Sequence, residues 1–145
     1  MTTFQDSQES VFFIDNTSGV SKELTPYIIA VDGLPGPRKL SEATALGDGG
    51  TMWHPGLEDV PFTLELYWSK DADVGPDTVL GPLRTHTAAV DFNYGPEGDT
   101  AGDIKYSGKC WVRNFTAPTR VGNLVFAKAE LQVNGQVSRG TFPIV

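Results

Sequence analysis

The sequence predicts a mainly β domain: an antiparallel β-sandwich or barrel with one flanking α-helix and a long inter-strand loop. Three observations predict this fold class. Several apolar segments alternate with a period of two, as strands with one buried face do. One segment alone has helical spacing. The 145 residues include 16 Gly and 10 Pro, which exceeds the usual share and favours short strands joined by many turns.

The first 60 residues are predicted to hold an arm, two strands and the long loop. Residues 1–10 are polar and acidic and are expected to form a flexible N-terminal arm. Val11–Asp15 is a short apolar strand candidate, and residues 24–32 form a second one, rich in β-branched and aromatic side chains. Residues 33–60 form the long loop, whose apolar side chains indicate a functional segment rather than a plain linker.

Residues 61–86 hold the clearest strand pattern and the one helix candidate. In residues 61–69 the inward positions are Phe62, Leu64, Leu66 and Trp68, and the outward positions are Thr63, Glu65 and Tyr67. Full burial would make each large inward side chain contribute roughly 1.5–3 kcal/mol to folding. The helix candidate, residues 77–86, begins after Pro76, and Pro82 makes it short or irregular.

The last third of the chain is predicted to complete the sheet. Strand candidates lie at residues 88–94, 106–115 and 124–133. Asn134-Gly135 is the strongest short-range hairpin signal in the sequence, and it predicts a tight turn into a final strand at residues 136–144. Residues 11–145 would thus form a single domain with about seven or eight strands.

The net charge of −7 is unevenly distributed along the chain. Residues 1–57 carry seven acidic and three basic side chains. Residues 58–103 carry ten acidic and two basic side chains, whereas residues 104–145 carry one acidic and six basic side chains. An acidic chain without a strong basic cluster is a poor binder of nucleic-acid phosphates. Two interpretations of the uneven charge stay open: solvated surface charge, or head-to-tail self-association between an acidic and a basic face.

The sequence offers no catalytic, cofactor or metal site. His54 and His86 have no second His or Cys at metal-site spacing, and residues 47–50 (GDGG) lack the Lys-Ser/Thr of a phosphate-binding loop. The single Cys110 cannot form an internal disulfide and is expected to be a buried thiol in a reducing compartment. With no signal peptide or apolar membrane span, we expect a soluble protein, made in a cytoplasm, that is not an enzyme.

Trp111 is predicted to lie on the outer face of its strand. It alternates with Cys110 and Val112, whose apolar character places them on the inner face. Lys109 and Arg113 share its own face. Two interpretations stay open, because Trp111 is either a partly covered surface residue with cation–π contacts or part of a binding interface, where Trp and Arg are enriched.

Short motifs follow one another along nearly the whole chain. They are DNTSG (15–19), LTPY (24–27), VDGLPG (31–36), TALGD (44–48), HPGLED (54–59), FTL (62–64), GPEG (95–98) and VSRGTF (137–142). Their order resembles that of the tail tube protein of a long-tailed bacteriophage, the siphophage-type major tail protein. Each motif is short, so the resemblance depends on the order rather than on any single match.

The resemblance implies a structural virion protein. Six copies would form a ring, and rings would stack into a hollow tail tube whose acidic lumen lets DNA pass without specific binding. The partners would be further copies of the chain and the tape-measure, distal tail and tail terminator proteins, with no cofactor and no membrane. The protein would be synthesised in the cytoplasm of a bacterial host and located in the virion tail.

The resemblance also gives the long loop a role, because in such proteins this loop reaches the neighbouring subunit or ring. The subunit-interface candidates, from the loop and from the Trp111 strand, are Leu34, Pro35, Arg38, Met52, Trp53, His54, Leu57, Trp111 and Arg113. Thr63 and Glu65, on the outward face of the strand after the loop, are the lumen candidates. The acidic middle of the chain would repel DNA, and the basic end would meet acidic residues of the next subunit.

Two other functions stay open. One is another ring-forming tail or neck component, such as a tail terminator or head-completion protein, which would stop at a single ring. The other is a carbohydrate-binding β-sandwich with Trp53, Trp68 and Trp111 as stacking platforms, which the inward position of Trp68 disfavours.

Overall fold

The structure is a computed structural model that describes residues 10–69, 71, 75–119, 122 and 124–142. The strands are β1 (Val11–Asp15), β2 (Ser21–Glu23), β3 (Ile28–Asp32), β4 (Arg38–Glu42), β5 (Trp53–Glu58), β6 (Pro61–Tyr67), β7 (Val90–Gly95), β8 (Ile104–Thr116) and β9 (Phe126–Thr141). The helix α1 spans Pro76–Leu83, and a 3-10 turn spans Thr25–Tyr27. The predicted N-terminal arm, apart from Ser10, lies outside the described residues.

Seven of these strands form one antiparallel sheet in the order β2-β1-β7-β8-β9-β6-β3, and β4 pairs with β5 separately. The end strands β2 and β3 are not paired with each other, so the large sheet is not a closed barrel. Instead it folds over on itself, which brings the rings of Phe12 in β1 and Phe62 in β6 to a centroid distance of 6.2 Å. The predicted mainly β fold with one helix is confirmed, and of the two predicted alternatives the sandwich is the one observed.

The long strands β8 and β9 take part in both layers of the sandwich. The first half of β8 pairs with β7, whereas the first half of β9 pairs with β6. The pairing of β8 with β9 changes register between Ser107 and Lys109 and again between Val112 and Asn114. Such bulges bend a strand, and they allow the two long strands to turn from one layer into the other.

The predicted tight turn at Asn134-Gly135 is wrong, because β9 continues through both residues. Asn134 pairs with Lys109, and Ser138 pairs with Ser107, so β9 advances four residues where β8 advances two. The extra residues form a bulge, in which Gly135 has a φ of 100°. Asn-Gly favours a tight turn because Gly readily adopts a left-handed conformation. Here Gly135 adopts that conformation within the bulge of a continuous strand.

The core follows the period-two pattern predicted for the strands. In β6 the side chains of Phe62, Leu64 and Leu66 are buried, and Trp68 just beyond the strand packs partly against them. Cys110 and Val112 of β8 are buried, as predicted, while Trp111 between them is half-buried on the outer face. Burial of these apolar side chains is the main favourable contribution to folding.

The helix is shorter than the predicted range of residues 77–86. It begins at Pro76, whose missing N–H has no partner to lose in the first turn, and it ends at Leu83, just after Pro82. Val79, Leu80 and Leu83 are buried in the core. In the described part of the chain, no helix is long and apolar enough to cross a membrane.

Candidate functional site

The long connection of residues 33–60 contains a β-hairpin that projects from the sandwich. β4 and β5 pair with Leu40 opposite Pro55 and Glu42 opposite Trp53. Every residue of this hairpin is exposed except Glu58, which is partly exposed. The long loop predicted for residues 33–60 thus contains two strands, and β5 includes Pro55 and Gly56, residue types that are unfavourable inside a strand.

One face of the hairpin carries uncovered apolar side chains, with Glu42 at its edge opposite Trp53. Leu40 and Pro55 are directly opposite each other, and Trp53 lies two positions from Pro55 on the same face. Leu57 lies at the bulge between Pro55 and Glu58, where the alternation of β5 is interrupted. Leu40, Trp53 and Leu57 are 55%, 57% and 86% exposed. A two-stranded hairpin is marginally stable alone, and no apolar partner from the described part of their own chain covers these side chains.

The other loop candidates surround this face. Met52 is 52% exposed and directly precedes β5, while His54 lies on the opposite hairpin face, across from Ser41. Arg38 is exposed at the base, where its backbone is opposite that of Glu58 in the β4–β5 ladder. Pro35 is exposed as well, but Leu34 is half-buried against the core of its own chain, so only part of its side chain is open to a neighbour.

Two polar contacts hold the base of the hairpin against the sandwich, and an ion pair lies within the base. The N–H of Val137 donates to Glu58 Oε2 at 3.1 Å, and Gln132 Nε2 donates to Asp59 Oδ1 at 2.8 Å. Lys39 Nζ lies 3.6 Å from Asp59 Oδ2. The hairpin therefore has a base fixed to the sandwich and uncovered apolar side chains.

Trp111 and Arg113 lie near this base rather than in the hairpin. Trp111 is opposite Gln132, which is in turn opposite Pro61, so the three residues form one cross-strand row beside Asp59. Arg113 is exposed at the second bulge of β8. Among the described residues the cation–π contact found is that of Lys105 over the Phe142 ring, at 5.7 Å, and Trp111 has none.

Thr63 and Glu65, the lumen candidates, lie on the outer face of the layer formed by β3, β6 and the first half of β9. Thr63 of β6 has Asp32 of β3 on one side and Glu130 of β9 on the other. Glu65 of β6 is opposite Lys128 of β9. A shallow hollow of about 400 Å³ opens on this face. Three carboxylates and one ammonium group leave the face with a net charge of −2.

A groove of about 500 Å³ separates β1 from β3, where the sandwich is open. It is lined mainly by Val11, Phe12, Tyr94 and the residues of β3 from Ile28 to Val31. Burial raises the pKa of Tyr94, as does the neighbouring Tyr106 to a lesser degree. The free edge of β3 carries Ile29, which is 46% exposed. This edge is a second exposed apolar feature, and none of its residues is among the predicted site residues.

The described residues contain no group of three or more His, Cys, Asp or Glu side chains placed to hold a metal ion. The thiol of Cys110 is buried, and burial raises its pKa to about 12, so it is protonated at neutral pH and is not a nucleophile.

Asp15, Asp91 and Lys109 meet on the outer sheet face. Burial raises the pKa of Asp15, and Asp91 adds to this effect, while Lys109 opposes it.

The fold is shared with solved structures of tubes and their terminating parts, although no protein-family model and no curated protein matches this sequence. A chain in the tail of an empty gene transfer agent particle, refined with C6 symmetry, aligns with a TM-score of 0.73 at 10% identity over 95% of this chain and 100% of that one. The SPP1 tail tube aligns with a TM-score of 0.72 at 13% identity over 97% and 81%.

The similarity extends to contractile systems. A chain in the sheath/tube terminator of an extracellular contractile injection system, PVC, aligns with a TM-score of 0.70 at 12% identity over 97% of this chain and 99% of that one. Each alignment covers at least 95% of this chain. This protein therefore has the fold of chains found in virion tails and in the tubes of injection systems.

Proposed function

We propose that this protein is a tail tube protein, whose copies form rings that stack into a hollow tube through which DNA passes. The observation that carries the proposal is the set of uncovered apolar side chains on the β4–β5 hairpin, on a fold shared with chains of assembled tails and tubes. Six copies per ring are proposed, since the similar gene transfer agent tail has C6 symmetry. The role is structural and virion-based rather than catalytic.

In this proposal the hairpin contacts a neighbouring copy. Trp53 and Leu57 would bury their exposed surface on that copy, with Met52 beside them and Arg38 and His54 at the margin of the contact. The contact is heterologous, since the hairpin of one copy meets a different surface of the next, and such contacts close into rings or extend into filaments. Leu34, Pro35, Trp111 and Arg113 would complete the interface near the hairpin base.

The polar face with Thr63 and Glu65 is proposed to line the lumen. Its net charge of −2 per copy, from Asp32, Glu65 and Glu130 against Lys128, would repel the phosphates of passing DNA. A repelling wall lets DNA move without specific binding. The further partners would be the tape-measure, distal tail and terminator proteins, and the motif order favours the siphophage type of tail.

A tube-terminating ring protein is the second candidate, because one structure with this fold comes from a sheath/tube terminator. A carbohydrate-binding module is disfavoured, since Trp68 and Trp111 are half-buried and only Trp53 is more than half exposed. Trp53 lies in β5, Trp111 in β8 and Trp68 just after β6, so the three residues come from different parts of the fold.

Negative-stain electron microscopy of the concentrated, purified chain tests the proposal. We expect tubes of unlimited length, whereas a terminator would give single rings and a binding module would remain monomeric. The control is a variant in which residues 40–55 are replaced by Asn-Gly, which retains the contacts of Lys39, Glu58 and Asp59. This variant should remain a folded monomer, and tubes formed by it would contradict the role of the hairpin.

A further inference from the structure

The bulge in β9 provides a backbone donor that β8 does not use. Residues 135–137 lie between the pairs Asn134–Lys109 and Ser138–Ser107, so they are out of register with β8. Gly108 faces this bulge at close range, because a Cβ there would lie 3.0 Å from the Gln136 carbonyl oxygen. A bulge leaves backbone groups without ladder partners, and a partly buried N–H needs an acceptor.

Glu58 supplies that acceptor from a distant part of the chain. Its Oε2 accepts the Val137 N–H at 3.1 Å across a separation of 79 residues. Glu58 is the last residue of β5, and it is partly buried while the rest of the hairpin is exposed. A carboxylate that accepts a backbone N–H makes a stronger and better-directed bond than an exposed ion pair such as Lys39–Asp59.

We infer that Glu58 is a positioning residue: its bond to Val137 fixes the direction in which the β4–β5 hairpin leaves the sandwich, and thereby the contact with a second copy of this chain. The inference rests on the proposed function, because the second copy is the partner proposed there. It goes beyond the proposed function by assigning the orientation of the β4–β5 hairpin to the Glu58 carboxylate and the bulge in β9.

The dimensions of the hairpin show why the base controls the contact. Trp53 lies five residues from Glu58 along β5, which is roughly 17 Å at about 3.3 Å per residue. A rotation of about 10° at the base would therefore move Trp53 by roughly 3 Å. An apolar contact packed at protein density does not accommodate such a displacement without losing most of its van der Waals contacts.

Spin-label distance measurements on the monomer test the positioning role directly. Labels are attached at Thr51→Cys in the hairpin and Thr87→Cys in the body, both exposed sites, while the buried native thiol of Cys110 stays unlabelled. We expect a narrow distance distribution for the parent chain, a broad or shifted one for Glu58→Ala, and recovery in Glu58→Gln, whose amide oxygen still accepts the bond. Glu23→Ala, an exposed glutamate on β2, is the charge-matched control and should leave the distribution unchanged.

Two further measurements complete the test. The Val137 amide should exchange its hydrogen about tenfold faster or more in Glu58→Ala than in the parent chain. The protein concentration needed for polymerisation should rise by about tenfold or more in Glu58→Ala, with recovery in Glu58→Gln. An unchanged distance distribution in Glu58→Ala overturns the inference. Failure of the unsubstituted chain to polymerise overturns the proposed function instead, and the monomer distances still decide the role of Glu58.

Discussion

The rings of Phe62 and Phe92 lie 5.2 Å apart between centroids, at an interplanar angle of 44°, and they join the two layers of the sandwich. Phe92 belongs to β7 in one layer and Phe62 to β6 in the other. Phe12 completes the cluster at 6.3 Å from Phe92. This aromatic cluster is where the folded-over sheet closes on itself, so its loss should weaken the whole domain.

We predict that Phe62→Ala lowers the free energy of unfolding by about 3–5 kcal/mol, because it removes a buried ring and leaves a cavity between the layers. Urea unfolding of the monomer, followed by Trp fluorescence, measures the change. Thr63→Ala, on the outer face of the same strand, is the matched control and should shift stability by less than about 0.5 kcal/mol. Equal effects of the two substitutions would show that the layers do not pack through this ring.

Trp53→Ala should abolish or strongly weaken assembly while leaving the monomer stable. Trp53 is 57% exposed, so its removal costs the isolated domain little packing. A buried Trp at an interface is worth about 2 kcal/mol or more, which corresponds to roughly a 30-fold rise in the concentration needed for polymerisation. Sedimentation of the polymer and urea unfolding of the monomer give the two quantities. Ser41→Ala on the opposite hairpin face is the control, and normal polymerisation of Trp53→Ala would remove the hairpin face from the interface.

Gly36→Ala should destabilise the base of the hairpin. Gly36 has a φ of 90°, and a Cβ at this position would collide with the side chain of Val60 and the carbonyl oxygen of Gly33. Strain of this kind costs about 1–3 kcal/mol. The expected result is a lower urea midpoint and a higher polymerisation threshold. Gly47→Ala at the hairpin tip, where a Cβ meets open space, should change neither the urea midpoint nor the polymerisation threshold. Equal changes in Gly36→Ala and Gly47→Ala would contradict the collision predicted at Gly36.

The strand pattern of the core could be predicted from the sequence, but the two features that shape the candidate interface could not. The alternation of Phe62, Leu64 and Leu66 and the inward positions of Cys110 and Val112 are local, since each follows from period-two burial. The Asn134-Gly135 bulge depends instead on β8, which is long enough to pair with β9 on both sides of the dipeptide. The β4–β5 pairing was likewise hidden by Pro55 and Gly56, which local propensity excludes from strands.

The stability of the monomer should fall as the pH rises from about 9 to 12, partly through Cys110. Burial raises the pKa of this thiol from 9.0 to about 12, so in that interval the unfolded chain loses the proton while the folded chain keeps it. The unfolded state then binds fewer protons, and the free energy of unfolding decreases with pH by at most about 1.4 kcal/mol per unit from this group. Cys110→Ala should flatten this dependence relative to the parent chain. A thiol reagent that modifies the folded protein rapidly at pH 8 would contradict the burial argument.

The face with Glu65 and Lys128 provides the last prediction, which concerns DNA in the assembled tube. The triple variant Thr63→Lys, Glu65→Gln, Glu130→Gln removes two carboxylates and adds one ammonium group, so the net charge of the face changes from −2 to +1 per copy. Tubes of this variant should retain a short DNA duplex that is present during assembly, because phosphate binding grows with clustered cations. Retention should decrease as salt is added, whereas tubes of the parent chain should retain none.

Nuclease digestion distinguishes DNA in the lumen from DNA on the outside of the tube. If the Thr63 face lines the lumen, the retained duplex is enclosed and stays intact under digestion. The control changes the charge by the same amount on the other layer, with Ser107→Lys, Asp15→Asn and Asp91→Asn, and any duplex that it retains should be digested. Complete digestion in both variants would place the Glu65 face outside the lumen, because an enclosed wall would have protected the DNA that it binds.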